Sequence, residues 1–168
     1  ALYAVAEGAA TQNEAKRFSS ASHAALKSIE RAFNSGGHIS GKTTGLSSIN
    51  DKVGGLHDSD LIILAGRPGM GKTSLATNIA YNAAERLLRD LADGIEKEKS
   101  VGAATAFFSL EMSADQLATR ILAEQAGISS EALRMGKISR GDFQTLSFAS
   151  QRLNELPLYI DDTPARSI

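Results

Sequence analysis

The sequence predicts an α/β fold, in which a parallel sheet carries helices on both faces. Short apolar runs alternate with stretches of helical periodicity after residue 60, and this alternation is typical of parallel sheets. The runs cover residues 61–65, about 104–109 and 158–160, which are lengths that suit buried strands. Residues 66–73 also fit G-x-x-x-x-G-K-[ST] at every fixed position, so a phosphate-binding loop follows the first predicted strand.

The residue types at the fixed positions of this loop suit phosphate binding. Glycines permit backbone angles that a side chain hinders, so consecutive N–H groups can point at phosphate oxygens. The helix that follows directs the positive end of its dipole to the same place. Lys72 supplies charge to the terminal phosphates, and the Thr73 hydroxyl suits Mg²⁺. The predicted nucleotide-binding residues are Gly66, Arg67, Pro68, Gly69, Met70, Gly71, Lys72, Thr73 and Ser74.

Helical patterns follow each of the first two predicted strands. Ser113 and Gln116 match the capping box S-x-x-Q, and Gly127 suits the end of the helix that they open. Ser129 or Ser130 suits the cap of a further short helix. Two buried stripes are predicted: Leu75, Ile79, Ala83 and Leu87 after the loop, and Phe143, Leu146, Ser150 and Leu153 in a last helix that starts near residue 139.

Residues 1–40 differ from the rest, because they are rich in Ala and Ser and poor in branched apolar residues. Within them the sequence predicts a helix over residues 19–33, with Ser19 or Ser20 as its cap and residues 34–37 as a stop signal. Its apolar face packs either on its own domain or on a neighbouring subunit. That face consists of Phe18, Ser22, Ala25, Leu26, Ile29 and Phe33.

Composition narrows the classes of function. The formal net charge of −1 gives no support for nucleic-acid binding through a basic face. The chain has no cysteine, which excludes disulfides and Cys-ligated metal sites, and its three histidines show no metal-ligand spacing. No apolar stretch approaches the roughly 20 residues that span a bilayer, and no signal peptide is recognisable. We expect a cytoplasmic protein, and the start at Ala1 without Met suggests a processed chain or part of a longer one.

Carboxylates follow the second and third predicted strands. Hydrolysis of a nucleotide needs a group that orients or deprotonates water beside the γ-phosphate, and Glu111 is placed to do this. The alternative is that Glu111 only favours the dipole of the helix that Ser113 opens. Asp161 and Asp162 end the third strand, where they either bind a metal ion or make Asx-type bonds in a turn, and the turn is favoured.

The loop 66–73 and the later sequence Phe108-Ser109-Leu110-Glu111-Met112 together resemble the bacterial DnaB-type replicative helicase family. The resemblance covers roughly residues 40–168 and implies a RecA-like P-loop fold. Further similar stretches are residues 44–46, 54–56, 60–68, 116–120 and 158–162.

The resemblance implies a division into a helical linker, residues 1–40, and the N-terminal part of a RecA-like ATPase domain, residues 41–168. It implies that Glu111 and Lys72 are catalytic, that ATP and Mg²⁺ are the cofactors, and that Thr73 contacts the metal ion. It also implies a hexamer in which residues 19–33 dock on a neighbour, with single-stranded DNA, primase and a helicase loader as partners.

In this family the Mg²⁺-coordinating aspartate, the arginine finger and the DNA-contacting loops correspond to positions beyond residue 168. We therefore expect the isolated chain to hydrolyse ATP negligibly and not to unwind DNA.

Other readings of the same residues stay open. RecA-fold ATPases of the recombination or clock type also carry a P-loop and a Glu after the second strand. A nucleotide-gated assembly module without catalysis would use residues 19–33 to tie subunits together. A small-molecule P-loop kinase is less favoured, because Glu111 has no role in its usual design. The helix at residues 19–33 and the S-L-E-M sequence favour the helicase.

Overall fold

The computed structural model describes residues 15, 17–34 and 39–164. It divides the chain into two compact units, with the boundary between residues 38 and 39. The second unit contains α2 (Ser47–Val53), α3 (Lys72–Ala92), β1 (Thr105–Phe108), α4 (Ala114–Ala126), α5 (Ser130–Arg134), α6 (Arg140–Arg152) and β2 (Leu158–Asp161).

The described part of the first unit contains helix α1, Phe18–Asn34, which confirms the helix predicted over residues 19–33. The predicted caps are wrong: the helix begins at Phe18, so Ser19 and Ser20 lie inside its first turn. The carbonyl of Ser19 instead accepts a hydrogen bond from Ser22 Oγ at 3.0 Å. Of the predicted stop signal at residues 34–37, Asn34 is the last residue of the helix, and residues 35–37 lie outside the described residues. The large apolar side chains of α1 are exposed, namely Phe18, Leu26, Ile29 and Phe33.

Strands β1 and β2 form a parallel pair and confirm two of the three predicted strands. The register runs from Thr105 opposite Leu158 to Phe108 opposite Asp161. Helix α3 packs against both strands. The alternate positions of the strands point away from this packing, since Phe108 and Tyr159 are exposed. The parallel strands and their helices confirm the predicted α/β class.

The predicted first strand, residues 61–65, is not a strand in the structure. Leu61 and Ile63 are 86% and 80% exposed, and no residue of this segment belongs to the described sheet. An apolar run identifies a sequence that suits burial, whereas a strand needs a neighbour that accepts and donates its backbone hydrogen bonds. Within the described residues β1 pairs with β2 instead, so this segment has no strand partner there.

Helix α3 contributes more buried side chains than any other helix or strand of the second unit. Ala83 and Leu87 of the predicted stripe are buried, while Leu75 and Ile79 at the P-loop end are half-buried. The chain leading into β1 approaches this helix closely. A Cβ placed on Gly102 would lie 2.1 Å from the Leu87 backbone nitrogen, so only glycine fits there.

A buried carboxylate joins the end of α3 to the loop before β1. Asp90 accepts hydrogen bonds from Ser100 Oγ and from Arg86 Nε, both at 2.7 Å. Burial disfavours the charged carboxylate, but the bonds from Ser100 and Arg86 outweigh burial and lower the pKa of Asp90. The Ser100 hydroxyl also accepts from the Gly102 backbone at 2.9 Å, which fixes the close approach.

A second polar cluster holds the segment that contains α2. The side-chain oxygen Oδ1 of Asn50 accepts from the Thr44 backbone N–H at 3.0 Å and from the Thr44 hydroxyl at 2.7 Å. The amide of Asn50 donates to Thr43 Oγ1 at 3.0 Å. All three residues are buried, and Asn82 of α3 donates to the Thr44 carbonyl at 3.1 Å. These bonds attach the segment to helix α3.

The predicted stripe of α6 is right at Leu146 and Leu153 and wrong at Phe143 and Ser150. Phe143 is 64% exposed and Ser150 is exposed, whereas Ala149 is buried and Leu146 and Leu153 are half-buried. Helix α6 packs against α4, and this contact sets which side of α6 faces inward. Among the described helices, none has the length and apolar character that crossing a membrane requires.

Candidate nucleotide-binding site

The P-loop has the backbone shape that its glycines predict. Gly69 and Gly71 have φ angles of 76° and 82°, which lie in the left-handed region that favours glycine. Gly71 is the N-cap of α3, and Lys72 is the first residue of the helix. The first N–H groups of a helix have no intrahelical acceptor, so those at the start of α3 are open to an anion. Residues 66–72 are exposed.

The P-loop lies at the same edge of the sheet as the carboxyl ends of the strands. Ala103 N donates to the Ala83 carbonyl at 2.9 Å, and Thr105 Oγ1 donates to the Ala80 carbonyl at 3.0 Å. Moving forward along the chain from residue 103 to residue 105 therefore means moving backward along α3 from residue 83 to residue 80. Strand β1 and helix α3 run in opposite directions. The N-terminal end of α3 and the carboxyl end of β1 consequently face the same side, where ligands bind in sheets of this kind.

Glu111 lies in a tight turn directly after β1. Ser109 Oγ donates to the Met112 carbonyl at 2.6 Å and accepts from the Met112 backbone at 3.1 Å, which closes the turn. Ser109 N donates to the Asp161 carbonyl of β2 at 2.9 Å. Ser109 is buried, whereas Glu111 is exposed. The turn is thus anchored by its first residue and presents the carboxylate to solvent.

Helix α4 starts with the predicted capping box. The Ser113 side chain accepts from Gln116 N, and the Gln116 side chain accepts from Ser113 N. Gly127 ends the helix in the left-handed conformation, as predicted. Ser129 caps α5, and Ser139 with Asp142 forms a second capping box at α6.

The two aspartates at the end of β2 have different roles. Asp161 accepts from Thr163 N at 2.9 Å, which confirms the Asx-type turn. Hydrogen bonds from the Thr163 side chain and backbone lower the pKa of Asp161. For Asp162 this prediction is wrong, because its Oδ2 accepts from Ala114 N at 2.8 Å, at the start of α4. The partners are 48 residues apart, so no local pattern signals this bond.

The site offers few protein ligands for a metal ion. Residues 17–34 and 39–164 contain no group of three or more His, Cys, Asp or Glu side chains that could hold one. Mg²⁺ usually keeps several waters and takes substrate phosphates together with one or two protein oxygens, so such a cage is not needed.

A cavity of about 450 Å³ lies between α3 and α4, beside the first turns of the P-loop helix. Ser74, Thr77 and Asn78 line it from α3, and Arg120 and Glu124 line it from α4. The P-loop helix and the helix that follows Glu111 therefore share a groove, which Ile121 and Ile128 also line.

Comparison with known proteins identifies the family to which the chain belongs. Residues 41–168 match the family described as DnaB-like helicase C terminal domain. The chain is 48% identical over 144 residues to the replicative DNA helicase DnaB of Rickettsia prowazekii, covering 85% of this chain and 29% of the relative. It is 39% identical over 137 residues to the replicative DNA helicase DnaB of Geobacillus stearothermophilus, covering 82% and 27%. The chain thus spans less than a third of the length of these curated relatives.

A solved structure shares the fold. This structure, described as an ATPase domain, superposes with a TM-score of 0.71 at 20% identity, over 89% of this chain and 47% of that chain. The similarity concerns the fold alone, and it supports the predicted α/β class.

Proposed function

Because the chain belongs to the DnaB-like helicase C terminal domain family, we propose that it is the ATP-binding part of a replicative DNA helicase. The complete protein would couple ATP hydrolysis to movement along single-stranded DNA and to duplex unwinding. Relatives named replicative DNA helicase match 85% of this chain, which favours a helicase over ATPases of the recombination or clock type.

One observation carries the nucleotide-binding part of the proposal. Gly69 and Gly71 hold left-handed backbone angles directly before Lys72, the first residue of α3. This arrangement directs N–H groups, the helix dipole and a lysine charge at one exposed point. The ligand it suits is a chain of phosphates, with ATP as the expected nucleotide. Residues 66–74 form the binding loop in this proposal.

The metal ion in this proposal is Mg²⁺, which would neutralise charge on the β- and γ-phosphates. Thr73 is the residue that would hold it. The side chain of Thr73 is half-buried in the first turn of α3, and its backbone carbonyl already accepts from Thr77 Oγ1 at 2.7 Å. That bond occupies the carbonyl of Thr73 and not its hydroxyl.

Glu111 is the proposed base that orients or deprotonates the attacking water. Three observations support this role: the side chain is exposed, the turn that carries it is anchored to β2, and it lies at the sheet edge that α3 reaches with its P-loop end. The alternative, a carboxylate that only favours the α4 dipole, is weakened because Ser113, Gln116 and Asp162 already satisfy N–H groups at that helix start.

Helix α1 is the proposed contact with a neighbouring subunit of a homo-hexamer. Its apolar residues Phe18, Leu26, Ile29 and Phe33 are between 63% and 86% exposed, and such a stripe is stable only when it is covered. Single-stranded DNA, primase and a helicase loader are proposed partners of the complete protein, in the bacterial cytoplasm.

Calorimetric titration of this chain with Mg²⁺·ATP tests the binding step. The matched variants are Lys72→Ala and Lys97→Ala, which remove the same charge from the P-loop and from an exposed loop elsewhere. We expect binding by the wild-type chain and by Lys97→Ala, and loss of binding by Lys72→Ala. Equal binding by Lys72→Ala would refute the role of the loop.

ATP hydrolysis by the full-length protein tests the catalytic step. We expect Glu111→Gln to bind ATP normally and to lose hydrolysis by about 10²-fold or more, since a positioned base contributes ~10²–10⁴-fold. A variant that hydrolyses ATP at the wild-type rate would exclude Glu111 as the base.

A further inference from the structure

We infer that Asp162 is the positioning residue for Glu111, acting through the start of helix α4. The inference rests on the proposed catalytic role of Glu111. It begins with the exposure of the Glu111 side chain, for which the described residues provide no hydrogen-bond partner. The location of the carboxylate is therefore set by the backbone of residues 109–114.

That backbone is held at two points. At its beginning, Ser109 N donates to the Asp161 carbonyl at 2.9 Å, and the Ser109 hydroxyl closes the turn onto Met112. At its end, Ala114 N donates to the Asp162 carboxylate at 2.8 Å. The anchors are Asp161, the last residue of β2, and Asp162, which directly follows it, so the turn that carries Glu111 is held at both ends by one short segment.

The second anchor has an electrostatic reason. Ala114 is the first residue of α4, and its N–H has no acceptor within the helix. The capping box bonds the N–H groups of Ser113 and Gln116 and leaves that of Ala114 free. A carboxylate is the favoured partner at this position, because the helix dipole is positive there.

Asp162 is in turn held in place by its neighbours. Asp161 is paired in the sheet opposite Phe108, and its side chain accepts from Thr163 N. The residues on both sides of Asp162 are thus fixed, and the carboxylate spans from β2 to α4. Without the Asp162 carboxylate, the turn that carries Glu111 would keep only the anchor at Ser109. The end of the turn would then be held in place by α4 alone.

The test uses ATP hydrolysis by the full-length helicase with Asp162→Ala, Asp162→Asn and Asp115→Ala. Asp115 is an exposed carboxylate in the first turn of the same helix, so its removal weakens the dipole interaction without breaking the tie to β2. We expect Asp162→Ala to lower kcat by about 10- to 100-fold, since small misplacements of a catalytic group have effects of this size. KM for ATP should change by less than about twofold, because the P-loop binds the nucleotide separately.

Asp162→Asn should keep kcat within about threefold of the wild type, because its amide oxygen still accepts the bond from Ala114. Asp115→Ala should leave kcat unchanged. An equal fall in kcat for Asp115→Ala and Asp162→Ala, or a rise in KM instead of a fall in kcat, would overturn the positioning role. If Asp162→Ala is insoluble, Asp162→Ser replaces it. Its side chain is shorter than that of Asp, so we expect the same fall in kcat as for Asp162→Ala.

A double variant separates this inference from the proposed function. If Asp162 acts through Glu111, adding Asp162→Ala to Glu111→Gln should not lower the residual rate further. Additive losses would mean that Asp162 acts independently of Glu111. If Glu111→Gln is fully active, the proposed function of Glu111 fails, and the positioning role fails with it. If Asp162→Ala is fully active and Glu111→Gln is not, the positioning role of Asp162 is refuted, and the catalytic role of Glu111 is kept.

Discussion

Replacing Asp90 by Asn should measure how strongly the buried polar cluster holds α3 to the loop before β1. The change keeps the shape of the side chain and removes its charge. A hydrogen bond to a charged group contributes about 1.5–3 kcal/mol to stability, and the bond from Ser100 is buried. The ion pair with Arg86 contributes about 0–1 kcal/mol, because the Arg86 side chain is 45% exposed. Since Asn retains one acceptor, we expect a net loss of about 2 kcal/mol.

The assay is urea unfolding of this chain at pH 7, with Glu85→Gln as the matched control. Glu85 also pairs with an arginine four residues away on α3, but that pair is on the surface, so its loss should be within error. Unchanged m-values would show that the difference lies in folded-state stability. A loss for Asp90→Asn no larger than that for Glu85→Gln would refute the reasoning.

The pH dependence gives a second check on the same residue. The folded-state pKa of Asp90 lies below its usual value of 3.8, so the carboxylate binds fewer protons in the folded state. The contribution of the Asp90 carboxylate to the stability of the fold is therefore complete above the usual pKa of 3.8. It is lost as the pH falls through the folded-state pKa. The stability difference between wild type and Asp90→Asn should shrink below about pH 4. A difference that stays constant from pH 7 to pH 3 would contradict this assignment.

Two further substitutions test the packing of α3. Gly102→Ala should destabilise the chain by about 3 kcal/mol or more, because the new Cβ would clash with the Leu87 backbone, which cannot rotate away. Urea unfolding measures this loss, and Gly141→Ala is the control: its Cβ would meet only Ser139 Oγ at an ordinary contact distance of 3.6 Å, so it should be neutral or slightly stabilising. Asn50→Ala should cost about 2–4 kcal/mol in urea unfolding, since it leaves buried polar groups without partners. The control is Asp51→Ala, because Asp51 is the exposed neighbour of Asn50. Equal losses of stability for the two variants would contradict a stabilising role of the buried cluster.

Several features could be predicted because they depend on residues close together in the chain. The capping box of Ser113 and Gln116 joins positions three apart, and Gly127 ends α4 through its own backbone angle. The P-loop is likewise local, since Gly69 and Gly71 adopt φ angles that the motif itself requires. Local hydrogen bonds and backbone preferences carry this information within a few residues.

Other features could not be predicted because they depend on a partner elsewhere. Residues 61–65 have the composition of a strand, but a strand forms only when a neighbour supplies hydrogen bonds. The inward side of α6 is set by its contact with α4, so Ala149 is buried where the periodicity of the sequence predicted Ser150. Asp162 reaches Ala114 across 48 residues, and Asp90 is buried only because the loop with Ser100 folds over it.

By itself, the sequence determined that this protein has a glycine-rich loop of the P-loop pattern ahead of a helix, followed by a carboxylate after the next strand. Glycine backbone angles, caps and short spacings are properties of consecutive residues, and they hold in any surroundings that let the segment fold. Tertiary structure alone decided that the turn carrying Glu111 is anchored to β2 through Ser109 and Asp162. It also decided that this turn lies at the P-loop edge, because the directions of α3 and β1 follow from contacts between distant residues.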